Sequence, residues 1–157
     1  MANPTNTITP YLCVKDAPKA IEFYKNVLGA TELTRWTDDK GRIGHAEITI
    51  GGSPIYLADE HPEMGVLSPK TLLKEGARCP VSIHVYVADV DATYRHALAE
   101  GAEGLREPTD APYGDRDAQI RDASGHIWFI ATHKEEVSSE ELRKRAAGYK
   151  IEAGRNA

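Results

Sequence analysis

Three sets of residues have the types and spacing for chemistry. His45-Ala-Glu47 is a His-x-Glu pair, and on an extended strand both side chains lie on one face. Joined by a second histidine, His84, this pair could bind Zn2+ or Fe2+. The alternative is that His45 and Glu47 hydrogen-bond each other or a ligand. Without a metal, His84 or Glu47 is the candidate general base. Cys13 with His84 nearby would be a nucleophile candidate, although a strand cysteine is more often an inert small hydrophobe. Aromatic residues Tyr11, Trp36, Tyr56, Tyr86 and Phe129 could wall a pocket for an apolar ligand. The other polar residues suggest less. His126 follows a turn glycine and is expected to fix that turn or pack beside Trp128. His61, His96 and His133 are expected at the surface, and Asp115 with Arg116 as a local ion pair. No G-x-S-x-G elbow, P-loop or dinucleotide fingerprint is present.

The elements that position these residues follow from parity. Ile8, Leu12 and Val14 fall on one side of a first strand, with Thr9, Tyr11 and Cys13 on the other. Val81, Ile83, Val85 and Val87 oppose Ser82, His84 and Tyr86, and Ala46, Ile48 and Ile50 oppose His45, Glu47 and Thr49. The aliphatic sides should pack under helices. The opposite sides are polar and aromatic each time. If the strands curve into one open sheet, these mixed faces line a common concavity, the usual form of a ligand pocket.

An internal repeat organises the strands. Ile8 to Asp16 aligns with Val81 to Asp89 at an offset of 73, and Gly52 to Ala58 aligns with Gly125 to Ala131 at the same offset. Asp16 and Asp89 are expected helix N-caps, and Pro18 suits a first turn. Ala20, Phe23, Tyr24, Val27 and Leu28 form one helical stripe; Val90, Thr93, Tyr94, Ala97 and Leu98 form another. Gly29 and Gly101 should end these helices in left-handed conformation. The reading is α+β: a single domain over 1–157, with module one at 5–60, a connector at 61–78, module two at 79–133 and a tail at 134–157. In the tail, Ser138-Ser-Glu-Glu141 has capping-box spacing, and a short helix should continue through Ala147, with Leu142, Ala146 and Tyr149 as a thin apolar stripe and 151–157 frayed.

Composition narrows the class. The 157 residues carry 24 acidic and 19 basic side chains, for a net charge of −5. This balance argues against a nucleic-acid footprint. The longest apolar run, Ile127 to Ala131, is far short of the ~20 residues of a membrane helix. Met1 to Thr7 has no signal-peptide character, and Cys13 and Cys79 make neither a disulfide framework nor a thiolate zinc site. A cytoplasmic protein is expected.

The motifs resemble the vicinal oxygen chelate superfamily, the glyoxalase/bleomycin-resistance/dioxygenase group. The resemblance rests on Thr9-Pro-Tyr-Leu-Cys-Val-Lys-Asp16, Ala20-Ile-Glu-Phe-Tyr24, Gly29-Ala30, Gly44-His-Ala-Glu47 and Leu57-Ala-Asp-Glu60. Asp122-Ala-Ser-Gly-His-Ile-Trp128, with Gly114-Asp-Arg116 and Ala131-Thr-His133, looks like its PhnB-like branch. The resemblance implies two βαβββ modules forming an eight-stranded, cup-shaped mixed sheet with helices outside, often in a homodimer. It also implies a divalent metal held at four positions, which here are Thr9, Tyr56, Ser82 and Phe129. Phe129 cannot coordinate, and neutral hydroxyls are weak ligands. The expectation is therefore no cofactor and no metal, with a displaced His45/Glu47/His84 site as the alternative.

The expected function is binding of a small aromatic or amphipathic molecule in the cup. Its expected ligand contacts are Thr9, Tyr11, Trp36, His45, Glu47, Tyr56, Ser82, His84, Tyr86 and Phe129. A metal-dependent lyase, isomerase or dioxygenase, and a metal-free enzyme using His84 or Glu47, remain as alternatives. No nucleic-acid or membrane partner is expected.

Overall fold

The capping residues set the frame of each module, and both caps form as their spacing requires. In the computed structural model, which describes residues 8–148, Asp16 accepts from the Lys19 N–H at 3.1 Å, and Asp89 accepts from the Ala92 N–H at 2.9 Å. These caps open helices α1 (Ala17–Leu28) and α3 (Val90–Ala99). A second residue serves each first turn from across the module. Asp59 accepts from the Ala17 N–H, and Thr132, 73 positions later, accepts from the Val90 N–H. Gly29 and Gly101 carry positive φ of 66° and 96° and end the helices.

The chain divides into two compact units, Met1–Cys79 with Ala123–His126, and Pro80–Asp122 with Ile127–Ala157. The first contains β1 (Tyr11–Val14), α1, β2 (Thr31–Thr37), β3 (Ile43–Ile50) and β4 (Ser53–Asp59). Its four-stranded sheet has the order β1-β4-β3-β2, with β1 parallel to β4 and the other pairs antiparallel. The connector holds a 3-10 turn at Pro62–Met64 and a short helix, α2 (Pro69–Leu72). The second unit contains β5 (Ser82–Tyr86), α3, β6 (Glu103–Asp110), β7 (Asp115–Arg121) and β8 (Ile127–His133). Its sheet order, β5-β8-β7-β6, repeats the first. Register repeats too: Tyr11 pairs with Tyr56, and His84 pairs with Phe129. The eight expected strands thus form two four-stranded mixed sheets.

Each unit packs its helix on the aliphatic strand face. In the first, Val14, Ile21, Tyr24, Ile48 and Leu57 are fully buried; in the second, Ala118, Ile120, Trp128 and Ile130 are. Three details differ from the parity reading. Ile8 and Val81 are exposed because β1 begins only at Tyr11 and β5 at Ser82, so neither belongs to a paired strand. The α1 stripe centres on Ala17, Ile21, Tyr24 and Leu28, leaving Ala20 and Phe23 half-buried. On α3, Leu98 is exposed, and Val90, Tyr94 and Ala97 make the contact.

The tail helix α4 (Ser139–Gly148) starts as its spacing requires, with Ser138 Oγ accepting from the Glu141 N–H at 3.2 Å. It buries no residue; Leu142 is half-buried and Ala146 exposed. Tyr149, 151–157 and the first residues of module one lie outside the described residues. No helix among those described is long and apolar enough to cross a membrane.

Candidate functional site

The mixed face of the first sheet gathers Tyr11, His45, Glu47 and Tyr56. Pairing explains the cluster: Tyr56 on β4 lies beside Tyr11 on one side and Glu47 on the other, with His45 two residues along β3. The His45 ring is 5.5 Å from Tyr11 and 5.1 Å from Tyr56, and the two tyrosines meet edge-on at 5.9 Å. Hydrogen bonds join the same residues. His45 Nε2 lies 3.3 Å from Glu47 Oε1, and His45 Nδ1 lies 2.7 Å from the Tyr11 hydroxyl. In the neutral imidazole, an Nε2–H donating to Glu47 leaves Nδ1 to accept from the Tyr11 hydroxyl. Partial burial raises the Tyr11 pKa, which keeps its hydroxyl a donor. Tyr11 remains 55% exposed, so its ring is open to a ligand.

The second sheet carries a corresponding face. His84 lies edge-on to Tyr86 at 4.8 Å and is stacked with Phe129 at 6.3 Å. The Tyr86 hydroxyl donates to Asp115 Oδ2 at 2.8 Å, while Asp115 Oδ1 is 2.8 Å from His133 Nδ1. Two residues along β7, Asp117 accepts from Tyr113 and Arg106. Both carboxylates are buried, at 5% and 1% exposure. Asp115 raises the Tyr86 pKa by holding its proton, and Asp115 and Glu136 raise that of His133. Asp115 also borders a cleft of about 540 Å3 lined by Asp110, Gly114, Arg116, Lys134 and Arg145. The arginines there are already paired: Arg116 with Asp91 and Asp110, and Arg145 with Glu135 and Glu141.

Several expected contacts stand elsewhere. The Trp36 indole lies over Gly44, where an added Cβ would sit 2.6 Å from the ring. Thr9 precedes β1 and is half-buried; Ser82 opens β5 and is exposed. Asp115 and Arg116 do not pair with each other. Adjacent strand residues point to opposite faces, and each finds partners on its own side. His126 fixes the turn through a longer reach than expected, with Nε2 2.8 Å from the Cys13 carbonyl. His61 is only half-buried at the surface and bonds the Asp59 carbonyl through Nδ1 at 2.8 Å. His133 is half-exposed yet part of the Asp115 network. Burial and the charges of Glu60 and Asp59 push the Cys13 thiol up to about 11, the opposite of nucleophile activation.

The Asp122 to Trp128 motif does structural work. Asp122 accepts from the Trp128 indole N–H at 3.0 Å. Ser124 Oγ accepts from the Lys15 N–H, and its carbonyl accepts from the Lys70 N–H. Gly125 lies so close to α2 that a Cβ would sit 2.7 Å from the Lys70 nitrogen. Glu60 holds the start of α2 by accepting from the Ser68 N–H and hydroxyl.

The residues present do not fit the metal that the fold class implies. Of the four inherited positions, Phe129 has no donor atom, and Thr9, Tyr56 and Ser82 offer neutral oxygens. In the displaced set, both His45 nitrogens are engaged by Tyr11 and Glu47. Among the described residues, no group of three His, Cys, Asp or Glu side chains could hold a metal ion.

Tandem βαβββ modules with an open mixed face define a recognisable class of protein, and comparison identifies it. The family model of the Glyoxalase/Bleomycin resistance protein/Dioxygenase superfamily matches residues 5–130, and the chain belongs to that superfamily. It is 35% identical over 141 residues to an uncharacterized protein of Mycobacterium bovis, covering 90% of this chain and 92% of that one. Two solved structures share the fold. The fosfomycin resistance protein FosX of Listeria monocytogenes, complexed with Mn(II) and sulfate ion, superposes with a TM-score of 0.62 at 20% identity, covering 92% of this chain and 99% of that one. A PhnB protein of Bacillus cereus, described as a putative 3-demethylubiquinone-9 3-methyltransferase, gives 0.61 at 18% identity, covering 81% and 99%.

The sequence reading missed Arg106, Tyr113 and Asp117. The signal for Asp117 was available on β7, where Asp115, Asp117 and Gln119 alternate with the buried Ala118 and Ile120.

Proposed function

We propose that this protein binds a small aromatic or amphipathic molecule on the aromatic–polar faces of its modules, without the divalent metal used elsewhere in the superfamily, and that it works as a homodimer. The observation that carries this reading is the Tyr11–His45–Tyr56 cluster. Three rings meet at 5.1 to 5.9 Å, the Tyr11 hydroxyl and both His45 nitrogens are hydrogen-bonded within the cluster, and Tyr11 stays open to solvent. Such a surface offers stacking and apolar contact with fixed hydrogen-bonding directions, which is how aromatic ligands are held. The poor donor set at the inherited metal positions supports the metal-free part.

Thermal-shift screening against antibiotics and aromatic metabolites, followed by calorimetry, tests the binding. A ligand should raise the melting temperature with the logarithm of its excess over Kd. Tyr11→Ala should weaken binding while leaving the fold intact. Elemental analysis of protein purified without chelators should find less than stoichiometric metal. Stoichiometric metal that disappears in His84→Ala would overturn the metal-free reading, and turnover of a hit would overturn simple retention. Light scattering on the purified protein checks the dimer.

A further inference from the structure

We propose that the mixed face of the second module selects cationic ligands, with the Tyr86 and Tyr113 rings forming a wall for an aromatic or quaternary ammonium ion; this rests on the binding reading above. The argument starts at β7. Alternation puts Asp115 and Asp117 on the face opposite Ala118 and Ile120. Both carboxylates are buried, while the two tyrosines that reach them are 62% and 46% exposed. Each carboxylate therefore holds the hydroxyl of a ring whose body solvent or a ligand can touch.

The hydrogen bonds decide which ligands benefit. Tyr86 donates its hydroxyl to Asp115, and Tyr113 donates to Asp117. A phenol that donates to a carboxylate gains electron density in its ring, which deepens the negative potential over the ring face. That potential attracts cations. His84, edge-on to Tyr86 at 4.8 Å, restrains the ring, so little order is lost on binding. Asp115 and Asp117 stand two residues apart on one face of β7, which brings the hydroxyls of Tyr86 and Tyr113 to the same face.

Charge balance points the same way. On this face Arg106 offsets Asp117, while Asp115 is matched only by His133, and Glu136 lies 3.2 Å from the other nitrogen of that ring. Even with His133 charged, Asp115 and Glu136 together exceed it by one negative charge beside the Tyr86 hydroxyl. A cation gains from the ring faces and from this charge. A neutral aromatic gains stacking alone, and an anion is opposed by both.

Three soluble probes of nearly one shape separate these cases near neutral pH: N-methylquinolinium, uncharged quinoline and a quinoline carboxylate. Calorimetry should give binding of N-methylquinolinium about tenfold tighter than quinoline, with the carboxylate weakest. Tyr86→Phe keeps the ring and removes the donor; it should cut the cation's advantage over quinoline to about threefold. Asp115→Asn, with folding checked by circular dichroism, should reduce the same ratio. Equal affinity for cation and neutral probe, or an unchanged ratio in Tyr86→Phe, would overturn the selectivity and leave the binding reading standing. If none of the probes binds, both fail.

Discussion

Asp59 is the most exacting single test of how the first module is held together. It is 8% exposed, and each carboxylate oxygen accepts one backbone N–H at 2.7 Å, from Ala17 at the start of α1 and from Ile43 at the start of β3. Pro18 has no N–H, Lys19 donates to Asp16, and Ala20 bonds the Asp16 carbonyl, so Asp59 completes the first turn. Asp59→Ala strands two buried donors. At about 1–3 kcal/mol each, the loss should be roughly 3–5 kcal/mol. With a urea slope of about 2 kcal/mol per molar, the unfolding midpoint should fall by about 2 M. Asp59→Asn should cost nearly as much, because its amide NH2 would face one of the two N–H groups. Thr132→Val is the internal comparison. Thr132 serves one N–H, that of Val90, and gives its own proton to the Val87 carbonyl, so about 1–2 kcal/mol is expected. A loss below about 1 kcal/mol for Asp59→Ala, or an Asp59→Asn variant as stable as the parent, would refute the accounting.

Other outcomes follow from the same geometry. Gly114→Ala should destabilise by more than about 2 kcal/mol in chemical unfolding, since φ is 97° and its Cβ would sit 2.1 Å from the Glu135 carbonyl oxygen. His133 has a raised folded pKa, chiefly through its bond to Asp115. Its contribution to stability is therefore full below the unfolded value of about 6.5 and is lost as pH rises through the folded value. Melting temperatures across that window should fall less steeply in His133→Ala than in the parent. The Cys13 thiol, lifted from 9.0 to about 11, should alkylate at pH 8 about a hundredfold more slowly than an unperturbed thiol, as peptide mass spectrometry would show.

The fold was largely legible because its determinants are local. The offset of 73 carried register as well as topology: Tyr11 with Tyr56 and His84 with Phe129 are the same pairing twice. Asp16, Asp89 and Ser138 cap as their spacing requires, because a capping bond spans only three residues. The site was legible in part. Parity placed Tyr11 on one mixed strand face and His45 with Glu47 on another, and a direct bond between His45 and Glu47 was one of the two arrangements foreseen; pairing with Tyr56 is what joins them. Trp36 could not be placed, because β2 carries irregularities at both Glu32–Thr34 and Trp36–Thr37, and a bulge breaks the count that parity depends on.

By itself, the sequence determined two copies of one module, the ends of their helices and the two faces of their strands. Periodicity and caps act over a few residues, so these survive without knowledge of the rest. Only the tertiary structure decided what the polar residues do. Asp115 looked like half of an ion pair with Arg116, but it bonds Tyr86, 29 positions away. Asp59, which carried no role in the sequence beyond the Leu57 to Glu60 stretch, serves a helix 42 positions earlier. The Asp122 to Trp128 motif carried the family resemblance, and its hydrogen bonds hold Lys15, Lys70 and Cys13 in place. A buried polar group must find a partner wherever the fold brings one, and neither spacing nor composition says which distant residue that will be.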